Sequence, residues 1–169
     1  MKKPNSLRSH LLNAVTELRR DPDRMLIFTD KGNVRCTMAN GLSFEYMYDL
    51  NFILTGFAGE LDAVMIPLLD WVRIHQSELL VNLDKSKEAF KFETELLSNH
   101  TVDLSLTLPI TERVIVKRLD DGTLDVTFPD EPQYETATEP KLFKMIDNKT
   151  GEVLAEWKSG PPENQYFGP

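Results

Sequence analysis

Between Leu42 and Thr55, apolar and aromatic side chains take every second position: Leu42, Phe44, Tyr46, Tyr48, Leu50, Phe52 and Leu54. Ser43, Glu45, Met47, Asp49, Asn51, Ile53 and Thr55 stand between them. Period two marks a half-buried strand, because successive side chains point to opposite faces. A run of this length spans about 45 Å at 3.3 Å per residue. That exceeds an ordinary strand, so it is expected to bulge or to project beyond its own domain.

Helical spacing appears twice. Leu7, Leu11, Ala14, Val15 and Leu18 form one apolar stripe, which predicts a helix over residues 5–20. Asn5 or Ser6 is the expected cap, and Asp21-Pro22-Asp23 the stop. Leu61, Val64, Met65, Leu68, Leu69 and Val72 form the second stripe. It keeps phase across Pro67, which predicts one kinked helix, with Trp71 at the edge of the core and His75 at its end.

The remaining pattern is strand-like. Met25 to Thr29 is apolar and expected to be covered on both faces. Asp30-Lys31-Gly32-Asn33 reads as a turn before a second strand, Val34 to Ala39. Asn40-Gly41 is a strong hairpin signal. A plain two-residue turn there pairs Thr37 with Phe44 and Arg35 with Tyr46, and turns Val34, Cys36 and Met38 away from the aromatic row. Either a bulge shifts the register or both faces are covered, and the second option needs a partner subunit. Beyond Gly59, Leu83 to Glu88 reads as a charged loop. Phe90 to Leu96 alternates, with Glu93 and Glu95 facing solvent, and Leu104 to Val116 alternates again. Pro109 cannot donate to a ladder, so that strand is expected to lie at an edge or to break. Asp120 to Thr123 turns into Leu124–Phe128.

Composition sharpens the picture. Of 169 residues, 41% are hydrophobic and 27% charged, which suits a globular protein with one core and an appendage. No apolar run is long enough for a membrane span, and the first residues do not read as a signal segment, so synthesis and assembly in the cytosol are expected. The single cysteine, Cys36, is expected to be an inert core thiol. The net charge of −8 argues against tight nucleic-acid binding. Six of the ten prolines fall in residues 129–169, which divides the chain into an α+β domain at 1–128 and a Pro-rich extension. Within the extension, Lys141–Ile146 and Glu152–Trp157 predict a hairpin that docks on its own body or on another subunit; Gly160 to Pro169 is expected to be disordered or partner-bound. No phosphate loop, His-x-x-x-His pair or nucleophile elbow occurs, and no catalytic, cofactor or metal residues are assigned.

Several segments together resemble one family. They are Met1-Lys2-Lys3-Pro4, Asp21-Pro22-Asp23-Arg24, Asp30-Lys31-Gly32, Ser43-Phe44-Glu45-Tyr46, Phe57-Ala58-Gly59, Pro67-Leu68-Leu69-Asp70-Trp71 and Glu112-Arg113-Val114-Ile115-Val116. Over roughly residues 1–130 the chain resembles the tail-completion protein R family of temperate, contractile-tailed bacteriophages. The resemblance implies a structural virion protein, not an enzyme, that caps the head-proximal end of the tail tube as a ring of six. It also implies contacts with tube, sheath and neck or head-completion proteins, with DNA passing through the lumen without specific binding and no membrane. Whether the particle is a phage or a headless tail-derived device is left open.

The candidate subunit or partner interface is Arg35, Glu45, Met47, Asp49, Glu112, Arg113 and Trp157. Two other readings stand beside this one. One is a head-to-tail neck adaptor; the other is a hydrolase working through carboxylates such as Glu93 or Asp103.

Overall fold

A computed structural model describes residues 1–36, 41–82, 84, 87, 89–97, 100–133 and 140–160. In chain order its elements are helix α1 (Lys3–Ala14), helix α2 (Thr16–Arg20), a 3-10 turn (Pro22–Arg24), β1 (Met25–Cys36), β2 (Phe44–Phe57), helix α3 (Asp62–His75) and helix α4 (Glu78–Val81). There follow β3 (Lys91–Leu96), β4 (Val102–Arg118), β5 (Leu124–Thr127), β6 (Lys141–Ile146) and β7 (Val153–Ser159). All strand pairs are antiparallel, and the main sheet runs β1-β2-β4-β3, with β5 on the far end of β4. This is the α+β class that the two spacings predict.

The aromatic row of β2 builds the core. Tyr48, Leu50, Phe52 and Leu54 are buried, and the register sets them beside Ile110, Leu108, Leu106 and Leu104 of β4. Leu7, Leu11, Ala14 and Leu18 from the first two helices, with Val64, Leu68, Trp71 and Val72 from α3, complete one apolar cluster with this inner face. Helices therefore cover one face of the sheet. Leu42 lies before the strand and is exposed, and Phe44 and Tyr46 are only half-buried.

Several expectations need correction. The segment Met25–Cys36 is one strand, without a turn at Asp30–Asn33. Lys31 and Gly32 oppose Tyr48 alone, between the pairs Asp30↔Asp49 and Asn33↔Met47, which is a bulge. Lys31 takes a left-handed φ of 49° there. Beyond it the pairs are Val34↔Tyr46 and Cys36↔Phe44, so both residues share the side of the aromatic row. The shifted register, rather than coverage of both faces, resolves the conflict; Asn40 itself lies outside the described residues. Met25 to Thr29 alternates instead of being covered twice, with Leu26 and Phe28 exposed. Cys36 is exposed, because it sits at the end of β1 beyond the helices.

The first helix is interrupted at Val15, which is extended (φ −88°, ψ 120°) and bridges Ala155 of β7. A β-branched residue suits that bridge better than the helix. Neither Asn5 nor Ser6 caps α1; its cap position is Lys2, and Pro4 occupies its first turn. Helix α3 runs unbroken through Pro67. Trp71 is 1% exposed, inside the core rather than at its edge, and donates Nε1–H to Ser6 Oγ at 3.1 Å. Within Leu83–Glu88 the described residues Asp84 and Lys87 are helical.

Strand β4 also runs unbroken, through Pro109. Thr111 donates its N–H away from β2, to Gln76 Oε1 at 3.3 Å. Two residues earlier, Pro109 presents the same side to an edge that β3 leaves at Thr107. The missing donor costs nothing there.

The C-terminal hairpin, β6 and β7, docks on helices of its own chain. Besides the Val15–Ala155 bridge, Thr16 Oγ1 donates to the Val153 carbonyl at 2.9 Å and Trp157 Nε1 to Asp70 Oδ2 at 2.9 Å. Residues 161–169 lie outside the described residues.

The packing predicts unequal costs along β2. Phe52→Ala removes a fully buried ring and is expected to cost about 3–5 kcal/mol. Phe44→Ala, at a half-buried position, is expected to cost well under half of that. Urea unfolding of both variants checks the order; equal losses would displace the core from where it is drawn.

Candidate functional site

Glu112 is the only acid on the inner face of β4, and it is 4% exposed. Its Oε1 accepts the backbone N–H of Lys2 and, at 2.9 Å, that of Lys3, and its Oε2 lies 3.5 Å from the Tyr48 hydroxyl. The first amides of a helix have no partner within it, and its N-terminus carries partial positive charge. A carboxylate from β4 thus does the capping that a local Asn or Ser was expected to do.

Lys3 brings a second charge inward. Its ammonium has three donors and three acceptors: the Thr111 carbonyl at 2.7 Å, Gln76 Oε1 at 2.8 Å and Glu131 Oε1 at 2.9 Å. Burial lowers the Lys3 pKa, and the hydrogen bond and charge of Glu131 oppose that shift. Buried Gln76 donates to Glu78 and Thr111, so its amide is used at both ends. Burial raises the Tyr48 pKa above its ordinary range, and the Glu112 charge adds to this. His75 stacks on Trp71 with centroids 4.8 Å apart; burial, aided by the Lys3 charge, lowers its pKa to about 4. Among the described residues no buried side-chain polar atom lacks a partner, and no group of three acids, histidines or cysteines is placed to hold a metal. The cluster is closed and saturated. It positions the N-terminus and leaves no group free to act on a substrate.

The open surface is the other side of the sheet. The register places Arg35, Glu45 and Arg113 in one row across β1, β2 and β4, with Met47 and Asp49 in the next rows. These five expected interface residues therefore share one face. Arg35 and Glu45 form an ion pair at 2.5 Å, and Lys31 reaches Asp49 at 3.4 Å. Glu112 does not belong with them, because the alternation that puts Arg113 outside turns it inward. Trp157 is also elsewhere, bonded to Asp70 within the chain. Asp70 in turn accepts from Arg73 and from the Ser159 hydroxyl, so this contact is a hairpin dock.

The sheet edges add what the sequence reading missed. Strand β3 packs substantially only against β4, and Phe92 and Leu96 on its inner side are 57% and 82% exposed. On β1, Leu26, Phe28 and Val34 are exposed. The alternation of β3 was legible, but not that the helices stop short of it. Glu93 and Glu95 lie on the outer face, as their alternation predicts. Asp103 is spent on the Gly56 N–H at 2.6 Å, so the two acids of the hydrolase reading do not form a working pair.

Comparison with known proteins gives one family. A family model described as P2 phage tail completion protein R (GpR) matches residues 1–132. A curated relative, tail completion protein R of Escherichia phage P2, is 34% identical over 157 residues, which is 93% of this chain and 99% of the relative. An alignment of that length extends past the family model into the C-terminal hairpin. No solved structure matches.

Two stability predictions follow from the closed cluster. Glu112→Ala orphans two helix amides and is expected to cost at least about 2 kcal/mol, whereas Glu112→Gln keeps an acceptor and loses less. Denaturant unfolding of both checks the order. For His75, the folded pKa near 4 lies below the unfolded value of 6.5. Stability is full above pH 6.5 and falls as pH drops towards 4, because only the unfolded chain takes up the proton there. The loss at pH 4 is on the order of 2–3 kcal/mol, and melting of His75→Phe should be flatter across that window than melting of the parent.

Proposed function

The chain belongs to the P2 phage tail completion protein R family, and from that premise we propose that it closes the head-proximal end of a phage tail tube as a ring of identical subunits. Membership itself makes it a structural tail-completion component of the virion, in contact with other tail components and without a catalytic role. The ring, its position and its individual neighbours are the reading advanced here.

One observation carries it: the sheet ends in two dissimilar free edges. A ring needs two different lateral surfaces that meet by rotation, and closing it leaves no lateral edge for further growth. Strand β1 on one side and β3 on the other supply such a pair. The outer face, with Arg35, Glu45, Met47, Asp49 and Arg113, is then available to tube, sheath or neck proteins. The net charge of −8 suits a lumen that DNA crosses without sticking, since like charge opposes phosphate contact. The same reading keeps residues 1–128 as the body and 129–169 as an extension docked through its hairpin; the family model ends close to that boundary, at residue 132.

Light scattering and negative-stain imaging, alone and with purified tail tubes, test the proposal. The expected result is a closed ring on one tube end, and overlong or ragged tubes in particles that lack the protein. A chain that stays monomeric and never caps a tube would sink it. Tails of normal length that fail to join heads would move the chain to the neck.

A further inference from the structure

We propose that neighbouring copies join by adding β3 of one antiparallel to β1 of the next, with the Glu93–Glu95 pair of β3 set against Lys31 and Arg35 of β1. This rests on the ring reading above and specifies the contact that makes it.

Strand direction supports the match. Four antiparallel strands in the order β1-β2-β4-β3 leave the two edges running in opposite senses. Copies related by rotation about one axis share a direction along it. The β3 of one copy therefore meets the next β1 antiparallel without a flip.

Charge supports it as well. Neither Glu93 nor Glu95 has an ion-pair or hydrogen-bond partner among the described residues. Glu95 sits directly opposite Asp103, and like charges so placed destabilise a ladder. An arriving cation relieves that repulsion. Arg35 and Lys31 already pair with Glu45 and Asp49 of their own chain but stay largely exposed, and Arg35 projects from the outer face of β1, the side on which Glu93 and Glu95 project from β3. Of the registers that keep the outer faces together, two set Arg35 directly opposite Glu93 or Glu95. With Arg35 opposite Glu93, the opposite faces bring exposed Phe92 of β3 against exposed Cys36 of β1, next to exposed Val34. A β3-to-β3 contact would gather four carboxylates against two Lys91 ammonium groups, a net negative seam, so charge favours the head-to-tail arrangement over a two-fold one.

Charge reversal of each edge in the full chain tests this. Glu93→Lys with Glu95→Lys reverses β3, and Lys31→Glu with Arg35→Glu reverses β1. Each double variant alone is expected to lose ring at least about tenfold, on tubes and in solution. Mixed in equal amounts, the two should recover it, because every junction in an alternating ring is again complementary. Melting curves confirm that each variant is folded. The neutral pair Glu93→Gln with Glu95→Gln is a second probe, expected to weaken the ring and to reduce its salt sensitivity. Rings that form normally from either reversed variant overturn the β3–β1 contact and leave the ring standing. So does a mixture of folded variants that stays apart. A wild-type chain that forms no ring on tubes removes both.

Discussion

A carboxylate can sit inside a sheet only if its charge is met there. Glu112 meets this condition by taking the first amides of α1, and that choice fixes where the helix begins. Once Lys3 is held at the start of α1, its side chain lies along β4 and its ammonium finds Thr111, Gln76 and Glu131. Gln76 follows α3, so the same contacts join the end of that helix to the sheet. Lys2 adds an ammonium 4.8 Å above the Phe128 ring, which draws the segment after β5 to the same place. One inward acid thus ties the N-terminus, the middle of β4 and the segment around residue 131 into one body.

The edge of β4 between β3 and β5 is closed by this arrangement from within. Thr111 spends its N–H on Gln76 and its carbonyl on Lys3, and Pro109 has no donor to offer. Both helical stripes, apart from exposed Leu69, are committed to the inner face. Among the described residues, the parts of the main sheet left to other chains include the outer face, β1 and β3. The family's structural role agrees with this division, since the interior holds a saturated network.

Much of this was legible in the chain. Period two found β2 and β4, a glycine-closed turn between two short segments marked the C-terminal hairpin, and helical spacing found α1 and α3 through Pro67. The errors have a common cause: local rules were outvoted by partners distant in sequence. Asp30-Lys31-Gly32-Asn33 has turn composition, yet continued pairing with β2 on both sides absorbs two extra residues as a bulge. Val15 fits the helical stripe, yet Ala155 claims its backbone. Asn5 and Ser6 are good caps, yet an acid in β4 serves α1 instead. For the surface, alternation along β2 set Glu45, Met47 and Asp49 on one face and along β4 should have excluded Glu112; Arg35 joins that face only through the bulge, which no alternation records. The exposure of β3 could not be read at all. It depends on where the helices stop, which no period within β3 records.

That exposure sets β3 apart energetically. A strand gains stability from a face packed on a core and from neighbours on its edges. Among the described residues β3 pairs only with β4, and no helix packs substantially behind it. Free apolar edges invite indiscriminate pairing, and proteins blunt them with charges and bulges. Both devices are present here, acids on β3 and the Lys31–Gly32 bulge on β1. Because they differ in sign and shape, they discourage each edge from pairing with itself more than they discourage the two from pairing with each other. In the ring proposed above, the asymmetry that disfavours pairing of like edges is also what gives assembly its direction.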